Sequence, residues 1–186
     1  MQKLILIKHS KPEQIEGKTS HDWPLSEEGR RRCATHADLV RPHAPQTIIT
    51  SQEPKAVQTG EILAEALKIP VTSAPDLHEH DRSNVPVMQT RDFISAMAHF
   101  FQNPHDLVLG LESADDALHR IAHAIESTMD SNPTGNVAII THGTVLALFL
   151  NTKKNKTAFD WWRSMGLPSF VVMSWPDRTV ETFASV

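Results

Sequence analysis

Two stretches of the chain carry four apolar residues without a polar break, Leu4-Ile5-Leu6-Ile7 and Val137-Ala138-Ile139-Ile140. Aliphatic runs of this kind predict strands buried on both faces, as in a parallel sheet. Shorter apolar runs at Thr47–Thr50 and Val71–Ser73 predict two more strands, and Phe170–Trp175 with Thr179–Phe183 predicts a closing hairpin around Pro176-Asp177. Between these runs the period changes. Ser26 precedes Glu27 and Glu28 as an N-cap, and the helix it opens runs to about Val40 and stops before Pro42. Pro54 opens a second helix with a stripe of Ala56, Gly60, Leu63, Ala64 and Leu67, ended by Pro70. Thr90 to about Gln102 reads as a third.

Ser113 to Asp116 has capping-box spacing, followed by the cleanest stripe in the chain, Ala114, Ala117, Leu118, Ile121, Ala122, Ile125 and Met129. Val145–Leu150 and Ala158–Met165 read as shorter helices. Two stretches lack periodicity, Lys11–Pro24 and Ala74–Gln89, and long loops inside compact domains are often functional. Lys153-Lys154-Asn155-Lys156 reads as a solvated loop.

Strands alternating with helices predict an α/β fold with a mostly parallel central sheet covered on both faces. No repeat or linker interrupts residues 1–186, which are read as one domain. If the strands are parallel, their carboxyl ends share an edge, where ligands of open α/β sheets bind. Three ends then converge: Lys8-His9, Thr50-Ser51 with Lys55 in the next helical turn, and Thr141-His142-Gly143. Two histidines, two lysines and a helix N-terminus favour an anion, phosphate above all.

Composition narrows the function. Apolar residues make up 40% and charged residues 22%, and the net charge is -4. That balance makes no global case for nucleic acid or an anionic membrane. The single cysteine, Cys33, forms no internal disulfide and lies inside a predicted helix as packing. No apolar run approaches the roughly 20 residues that span a bilayer. Met1–Ile7 is too short for a signal sequence, so a cytoplasmic location is expected.

The blocks at these strand ends resemble those of the histidine phosphatase superfamily, the phosphoglycerate mutase-like fold. Lys8-His9-Ser10 stands where that family has arginine-histidine-glycine. Trp23-Pro24-Leu25-Ser26-Glu27-Glu28-Gly29, Thr50-Ser51 with Lys55-Ala56-Val57-Gln58-Thr59, Leu77-His78-Glu79, Gly110-Leu111-Glu112-Ser113 with Arg120, and Thr141-His142-Gly143 follow in the family's order. The resemblance covers about Leu4 to Leu150. It implies phosphoryl transfer through a phosphohistidine on His9. His142, Lys8 and Lys55 would hold the phosphoryl oxygens, with Ser10 and Gly143 beside them. Glu79 would protonate the leaving oxygen and then serve as base for water. No metal or other cofactor is implied. The partner is a small phosphorylated substrate or a phosphoprotein, and the short chain argues for a phosphatase over a mutase.

The sequence also departs from that family. Both arginines are lysines, which keep charge but lose the planar fork that grips two oxygens. Ser10 replaces glycine, either crowding the site or donating a hydroxyl to the phosphoryl group. Ile15 stands where asparagine is common. No glycine follows Glu79, which leaves Asp81 as a rival for the acid. These departures motivate a second reading, a catalytically weak relative that binds a phosphorylated metabolite or phosphoprotein without efficient turnover. Histidine spacing motivates a third, a metal-binding protein. His119 and His123 are four apart on a helix, a spacing that can bind a metal but here falls off the apolar stripe, and His78 and His80 flank Glu79. Trp161-Trp162 is read as helix packing before substrate contact.

Overall fold

The computed structural model describes residues 1–151 and 156–185. The loop assigned to Lys153-Lys154-Asn155 lies outside them. Six strands form one sheet: β1 (Gln2–Lys8), β2 (Pro45–Thr50), β3 (Val71–Ser73), β4 (Asn136–Thr141), β5 (Ser169–Trp175) and β6 (Val180–Ser185), in the spatial order β3-β2-β4-β1-β5-β6. The first four are mutually parallel, while β5 runs antiparallel to both β1 and β6.

Burial explains the two unbroken apolar runs. Leu4 to Ile7 and Val137 to Ile140 are fully enclosed, because helices cover both sheet faces. Ile5, Ile7, Ala138 and Ile140 face α1 (Glu27–Val40) and α2 (Pro54–Leu67) through Cys33, Ala37, Val40, Ala56 and Leu63. Leu4, Leu6, Val137 and Ile139 face the other layer: α3 (Thr90–Gln102), α4 (Ala114–Asp130), α5 (Gly143–Leu150) and α6 (Ala158–Ser164). Each fully buried aliphatic side chain contributes about 1.5–3 kcal/mol relative to exposure.

The caps behave as their chemistry dictates. Ser26 Oγ accepts the Gly29 amide at 3.0 Å, and Ser113 and Asp116 form a reciprocal capping box. Helix α5 starts at Gly143, two residues before the apolar run suggested, with His142 as its extended N-cap. The strand therefore turns into the helix within one residue of the histidine. The loop after β1 contains a short 3-10 turn, Ser20–Asp22, too brief to leave a periodic signal. His119 and His123 are exposed on α4. Trp162 packs among Phe93, Phe101 and Phe159, and Trp161 meets the edge of Phe183.

Candidate active site

The register of the parallel strands brings the three predicted ends together. Lys8 pairs with Thr141, and Thr50 with Ile140. The His9 amide donates to the Thr141 carbonyl at 3.0 Å, and the Ser51 amide donates to the Ile140 carbonyl at 2.8 Å. Backbone ladders thus seat His9, Ser51 and His142 side by side. The rings of His9 and His142 have centroids 5.1 Å apart and are tilted by 59°.

His9 is buried, and its Nδ1 lies 2.7 Å from the Ser10 carbonyl. A carbonyl only accepts, so Nδ1 carries the proton and Nε2 keeps its lone pair. Burial, His142 and the two lysines hold the ring's pKa well below the usual histidine value, against the opposing pull of that hydrogen bond. His142 has Nε2 2.8 Å from Ser51 Oγ, and its buried Nδ1 has no hydrogen-bond partner. Burial pushes its pKa down to about 4, with Glu53 opposing.

The two lysines differ. Lys8 Nζ donates to the Met165 carbonyl at 3.1 Å and passes over Gly143, where an added Cβ would sit 3.0 Å from Lys8 Cε and 3.2 Å from Nζ. Glycine at 143 makes room for the ammonium. Burial lowers the Lys8 pKa to about 8, partly offset by Glu79. Lys55, 4% exposed, donates to the Ser20 carbonyl at 2.5 Å and to the carboxylate of Glu53.

Glu53 is the residue the sequence reading missed. Its Oε1 accepts the Glu79 amide at 2.7 Å and lies 3.2 Å from His21 Nδ1 and 3.3 Å from His142 Nε2. Burial alone would raise its pKa, but His142, His21 and Lys55 together hold it well below the carboxylate range. An acid beside a predicted phosphate-binding lysine was visible in the sequence. Its place just before Pro54 fits a helix start equally well, so the sequence alone gives it no role.

Glu79 is also enclosed. Its carboxylate accepts the amides of Thr144 at 3.1 Å, Val145 at 3.3 Å and His80 at 2.8 Å, so it caps the N-terminus of α5. Burial acts to raise its pKa, but Arg82, His142 and those amides bring it down to about 2. Asp81 is more exposed. Its Oδ1 accepts the Ser83 amide at 2.9 Å, and this bond, ahead of weaker influences, lowers its pKa. Arg120 anchors the segment by donating to the carbonyls of Asp76 and His78 at 2.9 Å while pairing with Glu112.

Ser10 faces the helices that cover the sheet. Its hydroxyl donates to the Gly29 carbonyl at 2.7 Å, and its amide donates to Thr59 Oγ1 at 3.0 Å. Both donors are engaged by α1 and α2, where the sequence reading offered the hydroxyl to a phosphoryl group. His80 is buried against Phe100, with Nε2 2.9 Å from the Glu112 carbonyl, and serves the loop's packing.

Two cavities open beside these residues. One, of about 210 Å³, is lined by His21, Glu53, Asp76 and His78 among others. The other, of about 470 Å³, lies between the two long loops and is lined by Trp23, Arg82, Met88 and Phe93 among others.

Comparison with known proteins gives a consistent picture. Residues 4–183 match the model of the histidine phosphatase superfamily (branch 1). The chain is 23% identical over 155 residues to a Bacillus subtilis protein named uncharacterized phosphatase PhoE, covering 81% of this chain and 76% of that one. It is 27% identical over 165 residues to a Yersinia enterocolitica protein named probable phosphoglycerate mutase GpmB, covering 82% and 74%. Among solved structures, YhfR of Bacillus stearothermophilus superposes with a TM-score of 0.77 at 24% identity, covering 98% of this chain and 95% of that one. A mycobacterial glucosyl-3-phosphoglycerate phosphatase complexed with VO3 superposes with a TM-score of 0.79 at 17% identity, over the full length of both chains.

Proposed function

Because the chain belongs to the histidine phosphatase superfamily, we propose that it is a metal-independent phosphatase that hydrolyses a phosphomonoester through a phosphohistidine on His9. The observation that carries this reading is the hydrogen bond from His9 Nδ1 to the Ser10 carbonyl. It leaves Nε2 as a free lone pair on a neutral ring, the state a nucleophilic imidazole needs. In the first step Nε2 attacks phosphorus in line and the bond to the leaving oxygen breaks. In the second, water attacks the phosphohistidine and the phosphorus–nitrogen bond breaks.

Phosphoryl transfer depends chiefly on positioning and charge neutralisation. Here the Lys8 ammonium, the Lys55 ammonium and the unpartnered edge of His142 supply both. A bound dianion favours protonated Lys8 and His142, opposing the effect of burial. Glu79 orders the start of α5 and stays ionised at neutral pH. That suits it to orienting the site, not to donating a proton. The partner is a small phosphorylated substrate.

One observation favours the second reading, a phosphate-binding relative with weak turnover. The carboxylate of Glu53 already occupies Lys55 and lies beside His142, where it competes with phosphate for the same charges.

The test is hydrolysis of p-nitrophenyl phosphate with chelator present, comparing the native chain with His9→Ala. Turnover by the native chain, abolished in the variant, is expected. Phosphate-dependent thermal stabilisation without turnover identifies the weak relative.

A further inference from the structure

We propose that the larger of the two cavities holds the alcohol part of the substrate, that this alcohol is aromatic and carries a second anionic group, and that Arg82 selects it. The proposal rests on the phosphatase reading above and names the class of ester on which that activity acts.

Position comes first. The cavity meets the site at two points. Its wall includes Ser20, whose carbonyl accepts from Lys55 Nζ at 2.5 Å, and Arg82, whose Nη1 donates to Thr144 Oγ1 at 3.2 Å. Thr144 follows Gly143, over which Lys8 passes, and its amide donates to Glu79 Oε2 at 3.1 Å. It stands two residues after His142, whose ring centroid is 5.1 Å from that of His9. An ester whose phosphoryl group is held by the histidines and lysines therefore has this cavity beside it. The volume of about 470 Å³ falls in the range of about 300–1,000 Å³ typical of ligand pockets.

The lining sets the shape of the ligand. Trp23 comes from one long loop, Val85, Val87 and Met88 from the other, and Phe93 from the first turn of α3. Val87 is 84% exposed and Trp23 is half-buried, so apolar surface faces the opening. Apolar surface gathered around a cavity, unlike exposed residues scattered singly, marks a place of binding. A flat ring covers it, and a polyol does not.

The charges set the rest. Among the described residues Lys18 and Arg82 line the cavity and no acid does. Neither of their side chains forms an ion pair with a described residue, and the bond to Thr144 is the guanidinium's one hydrogen bond. Arg82 also lies over the Phe93 ring, with its guanidinium carbon 5.3 Å from the centroid. These two contacts fix the group and leave further N–H donors for a carboxylate or phosphate oxygen. The smaller cavity is the reverse. Asp22, Glu53 and Asp76 line it and repel an anionic alcohol.

The test measures kcat/KM on benzyl phosphate, 4-carboxybenzyl phosphate and glycerol 2-phosphate. All three release alkoxides of similar basicity, so the ratios read recognition and not leaving-group chemistry. Benzyl phosphate is expected to exceed glycerol 2-phosphate by about 10-fold through burial of the ring. The carboxylated ester is expected to exceed benzyl phosphate by about 10-fold more through its charge-assisted hydrogen bond. Arg82→Gln erases the second ratio and keeps the first, whereas Trp23→Ala lowers the first and keeps the second. A native chain without these preferences, or an Arg82→Gln variant that loses activity equally on all three esters, overturns the proposal. Phosphonates in which a methylene replaces the ester oxygen separate it from the phosphatase reading. If no ester turns over, thermal stabilisation that still ranks the carboxylated phosphonate above the plain one, and loses that ranking in Arg82→Gln, supports the pocket and overturns the phosphatase reading alone. Equal stabilisation by both phosphonates overturns the pocket.

Discussion

The floor and the wall of the site are built differently. The floor is made of strand ends. His9, Ser51 and His142 take their positions from backbone ladders between β1, β2 and β4, beneath which Leu4–Ile7, Ile48 and Val137–Ile140 are fully buried. The wall is made of side chains from two long loops and the start of α2, with Lys55, Glu53, His21 and Glu79 tied by charge-assisted hydrogen bonds. The lysines mark the contrast. Lys8 rises from the floor, bonded to one carbonyl and passing over a glycine, without a carboxylate in its hydrogen bonds. Lys55 is held in the wall by an acid. The strand ends therefore fix the two histidines, while one loop-side carboxylate sets the charge around them.

Removing His9, the proposed nucleophile of the floor, has the largest expected effect. His9→Ala lowers kcat on p-nitrophenyl phosphate by at least about 10⁴-fold with the melting temperature little changed, as for nucleophiles of other covalent enzymes. Residual activity within tenfold of native places the chemistry elsewhere. Crowding the floor comes next. Gly143→Ala puts a methyl 3.0 Å from Lys8 Cε, shifts the end of that side chain by a few tenths of an ångström and lowers kcat/KM by up to about 10-fold. A variant that keeps native kcat/KM removes Lys8 from the phosphate site.

The wall responds in the opposite direction. Glu53→Gln releases Lys55 and His142 from a competing anion, so inorganic phosphate inhibits roughly tenfold more tightly. A weaker inhibition constant makes Glu53 a support for the pocket and not a rival of the ligand. Lys8→Arg combined with Lys55→Arg restores the planar clamp and raises kcat/KM a few-fold if the lysines are only poorer grips. A decrease means that the pocket is shaped around lysine, beginning with the close approach of Lys8 to Gly143.

How legible each region was follows from the same physics. The fold was readable because unbroken runs such as Leu4–Ile7 and Val137–Ile140 occur only where both faces are covered. The floor was readable because parallel strands carry their terminal residues to one edge, so His9 and His142 meet although they are 133 positions apart. The wall was not. Whether Ser10 Oγ turns to a ligand or to the Gly29 carbonyl depends on how closely α1 approaches, and Glu53 becomes a site residue only because the turn at Ser20–Asp22 brings His21 to it. Such contacts leave no periodicity; Glu53 falls on an unspecified position inside the Thr50–Thr59 block, and His21 lies outside the blocks that resemble the family.

The smallest expected effect lies outside the site. His36 is fully buried against Phe170 with neither ring nitrogen partnered, and burial lowers its pKa to about 4. Below its ordinary value of 6.5 the unfolded chain takes up a proton that the folded chain refuses. Stability is therefore full above that pH and falls as acid is added, by up to about 1.4 kcal/mol per pH unit until about pH 4. His36→Leu is expected to be neutral to stabilising by about 1 kcal/mol at pH 7, and to flatten this acid decline in urea unfolding followed from pH 7 to 5. An unchanged slope assigns the decline to His9 and His142, also buried with lowered pKa values.

The most direct measurement is a rapid quench of the native chain with p-nitrophenyl phosphate, with chelator present, followed by intact-mass analysis in alkali. A phosphohistidine is stable in alkali and lost in acid. The phosphohistidine mechanism requires one added phosphoryl group, lost on acidification, mapped to His9 and absent from His9→Ala. Turnover without any such adduct, or an adduct that persists in His9→Ala, contradicts it.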